Sequence, residues 1–307
     1  MVAAVLPSNL EGLLDRLASV RYTPREIIQL DGGLTNCNVR VRTVDLDVVV
    51  RISSDESTML AIDREAEYLN SRAAAASGAS PRVVEYVPED HLLVVEYIDG
   101  TTLGPADMRD SANLPRVAEV CRTLHSGPRF VSEFDMFDVQ RSYLKTVTDR
   151  GYRLPDRYRD FMPQVERIGR ALAGVEFPTV PCNNDLLAAN FVDDGTRLWV
   201  IDFEYAGNND PCFELGNIWS ESNLSVDQLD ELIFHYYGRE WPSMVARARL
   251  LGLMSKYGWM LWASIQDANS QLDFDFWEWG LEKYDRAVEE FDSLAFDGWL
   301  TAAAAPD

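Results

Sequence analysis

Apolar residues recur every second position in the first part of this chain and every three or four in the rest. One early stretch is an exception. From Ser8 to Val20, residues Leu10, Leu13, Leu14, Leu17 and Val20 share a helical face, and Ser8 or Asn9 can cap it, which predicts a short amphipathic helix. Ile27-Ile28, the alternation through Val39, Val41 and Val44, and the run Val48-Val49-Val50-Arg51-Ile52 read as strands. The turn Asp31-Gly32-Gly33-Leu34-Thr35-Asn36 parts the first two. A helix over about Thr58 to Ala76 follows. Two more strands, Pro81 to Val84 and Leu92 to Tyr97, flank the turn Pro88-Glu89-Asp90.

Beyond Gly100 the helical period prevails. It predicts helices over Asn113 to Ser126, Phe137 to Val147 and Tyr158 to Leu172, with Pro155 and Pro163 as candidate breaks. Others follow at about Pro211 to Glu221, Val226 to Tyr237, Trp241 to Ala268 and Phe276 to Leu294, before a frayed tail, TAAAAPD. His125, near the end of the first of these helices, reads as structural. One stretch breaks the pattern. Cys182 to Asp202 sets Asp185 five residues before Asn190, then the pair Phe191-Val192, a polar turn at Asp193 to Thr196, and a run, Leu198-Trp199-Val200-Ile201, that ends on Asp202. Asp and Gly between two short apolar runs predict a β-hairpin with Asp185, Asn190 and Asp202 gathered at its ends.

That trio is the set phosphoryl transfer needs: a carboxylate to orient the attacking hydroxyl, and an amide with a second carboxylate to hold Mg²⁺. The D-x-x-x-x-N spacing matches a kinase catalytic loop, and Asp202 in IDFE matches its metal-binding Asp. In the first part, the glycines at 32 and 33 let main chain approach a phosphate group, and Thr35 and Asn36 add donors. Arg51 ends an apolar run, where a charge is costly without a partner. No lysine precedes Lys145, so a phosphate-holding cation on that strand has to be this arginine, with Glu65 or Glu67 of the next helix as its partner. Of the two, Glu65 in DREAEYL is the expected one. The segment Glu96 to Gly100 reads as a hinge, with Glu96 and Ile98 placed to pair with adenine.

Composition narrows the partners. The 307 residues suffice for two lobes with real cores, and no apolar run approaches the length of a membrane span. A net charge of −22 argues against nucleic acid and suits a cationic substrate. The four cysteines lack metal or disulfide spacing and the N-terminus lacks a basic start, so a reducing cytoplasm is the expected compartment.

The stretches GGLTN (32–36), VVVR (48–51), NNDLLAAN (183–190) and IDFEYAGNNDPCFELGN (201–217) make the chain resemble the choline/ethanolamine kinases, within the wider aminoglycoside phosphotransferase superfamily. The resemblance implies an α+β, bilobal, protein-kinase-like fold, with a β-rich lobe of residues 1–98 and a mainly helical lobe of 99–307. It implies ATP and Mg²⁺, with Asp185 orienting the acceptor hydroxyl, Asn190 and Asp202 on the metal, Glu204 near a second ion, and Gly33, Thr35, Asn36 and Arg51 on the nucleotide phosphates. Trp259 and Trp262 match the paired tryptophans of the family's cation box; Glu221 matches its glutamate, Trp279 falls where a tyrosine is usual, and Tyr205 is a further candidate. The acceptor expected is a small cationic amino alcohol, choline first, with ethanolamine or an aminoglycoside as alternatives; a homodimer is left open. Two positions depart from the family. Asn183 stands where His is usual, which keeps open a catalytically silent nucleotide-binding protein, and Glu214 stands where an Asp braces the catalytic loop.

Overall fold

The structure is a computed structural model that describes residues 6–30, 33, 35–53, 60, 62–175 and 177–305. It begins with a helix far shorter than its apolar spacing suggests: α1 spans only Leu10–Leu14. The main-chain N–H groups of Ala18 and Ser19 both donate to the Glu85 carboxylate at 2.8 Å, which takes them from a helical ladder. Turns carry the chain onward, and Leu17 and Val20 still point inward.

Five antiparallel strands follow: β1 (Glu26–Leu30), β2 (Asn36–Arg42), β3 (Asp47–Ser53), β4 (Val83–Val87) and β5 (Leu92–Glu96), in the order β1-β2-β3-β5-β4. Period-two burial turns Val48, Val50 and Ile52 of β3 onto a core shared with Leu14, Leu17, Val39 and Val94. Arg51 therefore projects from the other face, toward α2 (Arg64–Ser77). That helix starts where Asp63 accepts from the N–H groups of Glu65 and Ala66. The expected start at Thr58 lies outside the described residues, as do Asp31, Gly32 and Leu34 of the first turn. Gly33 is required there: a Cβ would lie 2.3 Å from Asn36 O.

Beyond the sheet, β6 (Thr101–Thr102), α3 (Pro105–Met108), α4 (Leu114–His125) and α5 (Met136–Arg150) lead to α6 (Met162–Ala173). Pro163 sits in the first turn of α6, and Tyr158–Phe161 form a separate 3₁₀ turn. β7 (Val180–Cys182) pairs with β10 (Gly207–Asn209); between them lies the predicted hairpin, β8 (Phe191–Asp193) and β9 (Leu198–Val200), with β6 added at its edge. Strands β6, β7 and β10, of two or three residues each, are too short to announce themselves in the sequence.

The last helices are α7 (Pro211–Glu221), α8 (Val226–Tyr237), α9 (Pro242–Asn269), α10 (Phe276–Phe291) and α11 (Phe296–Ala303). The expected single helix to Leu294 with a frayed tail is two helices instead. Phe296, Leu300 and Ala303 are buried, and this apolar face docks Thr301–Ala303 as the end of α11. Helix α9 is the axis of the larger core. Gly216 of α7 and Gly252 of α9 meet there back to back: a Cβ on Gly216 would stand 2.1 Å from Ala248 O, and one on Gly252 2.5 Å from Gly216 O. This close approach brings Trp219 of α7 against Lys256 of α9, whose Nζ lies 3.7 Å from the ring centroid.

Candidate active site

The stretch from Cys182 to Asp202 is held from behind. Glu214, fully buried on α7, accepts from the main-chain N–H of Asn183 at 2.8 Å and of Asn184 at 2.7 Å. Asn217, one turn on, accepts from Leu186 N at 2.7 Å and donates to Ser255 of α9 at 2.9 Å. Asn183 ties the two ends of the hairpin together: its amide donates to Asp202 O at 2.6 Å and Ile201 O at 3.3 Å, while its oxygen accepts from Asp185 N at 3.1 Å. His125 has the structural place expected of it, with Nδ1 2.7 Å from Tyr236 Oη and Nε2 3.6 Å from both Cys182 Sγ and Glu214. Asn184 and Asp202 both adopt left-handed φ, 69° and 65°, a cost of about 1–3 kcal/mol each that these bonds offset.

The three candidate polar residues do gather at one end of the hairpin. Asn190 Nδ2 donates to Asp185 O at 2.8 Å, which leaves Oδ1 as its ligand atom; Ile201 N donates to Asn190 O at 3.0 Å, one residue before Asp202. Burial, reinforced by the carboxylates of Glu221, Asp202 and Glu204, pushes the Asp185 carboxyl well above the ordinary range, and Lys283 partly opposes this.

Arg51 reaches this group from the sheet. Its Nη1 lies 2.6 Å from Asp202 Oδ1 and 2.7 Å from Glu67 Oε1. Burial works against its charge, but Asp202, Glu67 and Glu204 overcome that, so its pKa lies above the ordinary value. The partner is thus Glu67 and not Glu65, which is exposed. The buried face of α2 runs Glu67, Asn70, Ser71, Ala74, a spacing that excludes position 65. Arg64 extends the network, with Nη1 2.7 Å from Glu67 and 3.3 Å from Glu204, and Nη2 donating to Asn36 at 3.1 Å.

Thr35 and Asn36, expected on phosphate, both donate here to Glu204, at 2.8 and 2.9 Å. Glu204 therefore clasps the start of β2 to the segment after the hairpin. Burial and Asp202 raise its pKa, and Arg51 opposes them. In the segment expected to act as a hinge, Glu96 N donates to Arg82 O, and its side chain lies 2.6 Å from Arg82. The main-chain groups of Ile98, by contrast, make no hydrogen bond among the described residues. Gly33 lies just before β2, close against Asn36 O and Asn38 Nδ2.

All four aromatic candidates meet in one cluster. Trp262 Nε1 donates to Tyr205 Oη at 2.8 Å; the Tyr205 and Trp259 rings are 4.9 Å apart, edge to face, and Trp262 and Trp279 are 5.6 Å apart. Glu221, its side chain 2% exposed, ion-pairs with Lys283, whose Nζ lies 4.1 Å from the Trp279 ring centroid. Lys283, Arg64 and Asn217 belong to the site without any local motif to mark them. A cavity of about 370 Å³ opens beside Glu204 and Tyr205, with Asp63, Asp135 and Asp138 on its wall.

A small antiparallel sheet above a helical lobe, with Asp, Asn and Asp at the ends of a hairpin and an arginine reaching them from the sheet, defines a kinase-like phosphotransferase. Residues 26–247 match the phosphotransferase enzyme family, and the chain belongs to it. Within that family it is an alcohol-accepting phosphotransferase of the choline/ethanolamine kinase type. It is 25% identical to Protein LicA of Haemophilus influenzae over 277 residues, covering 86% of this chain and 79% of that one. Against ethanolamine kinase 2 of Homo sapiens it is 29% identical over 290 residues, with 83% and 73% covered. The crystal structure of a choline/ethanolamine kinase family protein from Mesorhizobium loti superposes with a TM-score of 0.84 at 30% identity, covering 96% and 97%. No helix among the described residues is long and apolar enough to cross a membrane.

Proposed function

We propose that this chain transfers the γ-phosphoryl group of Mg·ATP to the hydroxyl of a small amino alcohol, with choline as the acceptor. The nucleotide would lie between the lobes of residues 1–98 and 99–307, its adenine against Ile98 and its phosphates near Arg51. The observation that carries the acceptor is the cluster Tyr205, Trp259, Trp262 and Trp279, to which Glu221 is joined through Lys283. A quaternary ammonium offers no N–H, so ring faces and a nearby carboxylate are what can hold it, each cation–π contact contributing up to about 2 kcal/mol when desolvated.

The metal donor set fits Mg²⁺. Asn190 keeps Oδ1 as a ligand atom, because its nitrogen is bonded to Asp185 O, and Asp202 keeps Oδ2, because Oδ1 faces Arg51. All are hard oxygens of the kind that ion selects. When bound it would neutralise phosphate charge. Asp185 would orient the acceptor hydroxyl, and the buried surroundings that raise its proton affinity suit it to take that proton as the new P–O bond forms. Arg51 would hold the phosphates in line, and most of the rate would come from such positioning.

A second acceptor, ethanolamine, is favoured by one observation: Glu221 Oε1 is buried and unpaired, ready to accept from an N–H. The deciding experiment is ADP release from Mg·ATP with choline, ethanolamine or kanamycin, with Asp185→Ala as the blank. Choline-dependent ADP that vanishes in the variant supports the proposal, and ethanolamine alone supports the second reading. Kanamycin alone would keep the kinase and discard the aromatic box. ATP binding with no turnover of any acceptor would overturn the proposal in favour of a silent nucleotide-binding protein.

A further inference from the structure

The sequence contains three lysines, and two of them, Lys256 and Lys283, are buried in the helical lobe. Lys283 lies in the aromatic cluster itself, one turn after Trp279 on α10. Its ammonium pairs with Glu221 Oε2 and stands 4.1 Å from the Trp279 ring centroid. A carboxylate and a ring face are the two things such a cluster offers to the cationic end of an acceptor, and here a side chain of the protein already takes both. Two polar atoms of the cluster stay unpaired and buried among the described residues: Glu221 Oε1 and Trp259 Nε1. One needs a donor and the other an acceptor. Buried groups of this kind are costly unless something fills them.

We propose that Lys283 is a specificity-determining residue: its ammonium stands in for an acceptor cation at Glu221 and Trp279, leaving the acceptor only Glu221 Oε1 and the faces of Tyr205, Trp259 and Trp262. The proposal rests on the amino-alcohol reading and deepens it. A primary ammonium has N–H groups for Glu221 Oε1. A quaternary ammonium has none and depends on being surrounded by ring faces, one of which Lys283 covers. With Lys283 present the cluster's preference for a quaternary nitrogen is narrowed, because a nitrogen that carries N–H still finds Glu221 Oε1. Removing the lysine uncovers Trp279, restores the whole charge of Glu221 to the acceptor, and shifts preference toward a quaternary nitrogen.

The test compares Lys283→Met with the unaltered enzyme. kcat/KM is measured for choline and ethanolamine, and choline binding is followed separately through indole fluorescence, which needs no turnover. The choline-to-ethanolamine ratio should rise about tenfold or more, choline should bind correspondingly tighter, and KM for ATP should stay put. Lys283→Arg, which keeps a cation in place, should restore the original ratio. A Met side chain leaves Glu221 buried without its partner; if that variant does not fold, Lys283→Gln keeps a donor for Glu221, and the same shift is expected of it. Where the unaltered enzyme phosphorylates either acceptor, an unchanged ratio with unchanged choline affinity overturns the role of Lys283 and leaves the amino-alcohol reading standing. Where it phosphorylates neither, that reading falls and the fluorescence titration decides alone: tighter choline binding in the variant upholds a cation site vacated by Lys283, and unaltered binding overturns it.

Discussion

The Arg51 guanidinium and the Asp202 carboxylate meet at 2.6 Å across 151 residues of sequence, one on the third strand of the sheet and the other just past the hairpin. Glu67 completes the contact from α2 at 2.7 Å. Three elements that are far apart in the chain thus share one buried charge cluster. Replacing such a cluster wholesale with apolar groups can be neutral, but removing one member leaves a stranded charge and costs about 3–5 kcal/mol.

Glu67 and Glu65 provide a controlled comparison, because they lie two residues apart on α2 and only Glu67 faces Arg51. Glu67→Gln should lower kcat/KM for ATP tenfold or more, a loss of about 1.4 kcal/mol in transition-state binding. Glu65→Gln, on the exposed side, should stay within twofold. Steady-state kinetics at varied ATP checks both; equal effects would mean that the pairing of Arg51 is irrelevant to the nucleotide.

Asn183 allows a test of geometry rather than charge. Its amide donates to the carbonyls of Ile201 and Asp202 and accepts from Asp185 N, so one side chain sets the spacing of two candidate carboxylates. Asn183→Asp keeps the shape but turns a lone pair toward two carbonyl oxygens, and kcat should fall about a hundredfold, roughly 2.7 kcal/mol. Asn183→Ala should fall less, about tenfold, since water can replace a missing donor but cannot cure a repulsion. A kcat for Asn183→Asp equal to that of the Ala variant would refute this ordering.

What the sequence showed and what it hid have a common physical explanation. Local signals travelled well: the spacing from Asp185 to Asn190, the hairpin before Asp202, and the limits of α7, Pro211–Glu221, are set by neighbours within a few residues. Choices that depend on long-range contact did not. Glu85 removes two N–H groups from the first helix, and only the fold brings it there. Glu65 and Glu67 differ by 200° around a helix of 3.6 residues per turn, a distinction that was legible had the buried face of α2 been drawn through Ala74. Thr35 and Asn36 had the donors expected of a phosphate loop, but nothing near them in sequence announces Glu204. Lys283 carries no local signal; its meaning comes from Glu221, 62 residues away.

The aromatic cluster is best probed without emptying it. Trp259 is buried, and Trp259→Ala would cost about 3–5 kcal/mol of packing and confuse folding with binding. Trp259→Phe keeps most of the volume while removing the unpaired indole N–H and part of the π face. KM for the amino alcohol should rise about tenfold while KM for ATP stays within twofold. Thermal denaturation run alongside should show only a few degrees of loss; an unchanged acceptor KM would remove Trp259 from the acceptor site.

Lys256 gives a prediction about stability rather than turnover. It is buried against Trp219, with Nζ 3.7 Å from the ring centroid, and burial pulls its pKa down to about 8, helped by Arg286 and Arg249 and opposed by Glu290 and Glu221. An unfolded chain holds this proton up to the ordinary lysine value of 10.5, so below pH 8 both states are charged and the folded one bears the cost of burying that charge. Lys256→Met should therefore be more stable than the unaltered protein at pH 7, by roughly 1–3 kcal/mol, a range whose ceiling is the pKa difference taken at 1.36 kcal/mol per unit. From pH 8 to 10.5 the unfolded state binds more protons than the folded one, the unaltered protein gains stability relative to the variant, and the gap should close. Urea midpoints at pH 7 and 9.5 measure it. If Lys256→Met is the less stable at pH 7 and the difference does not move with pH, the ammonium–indole contact with Trp219 outweighs the burial of the charge.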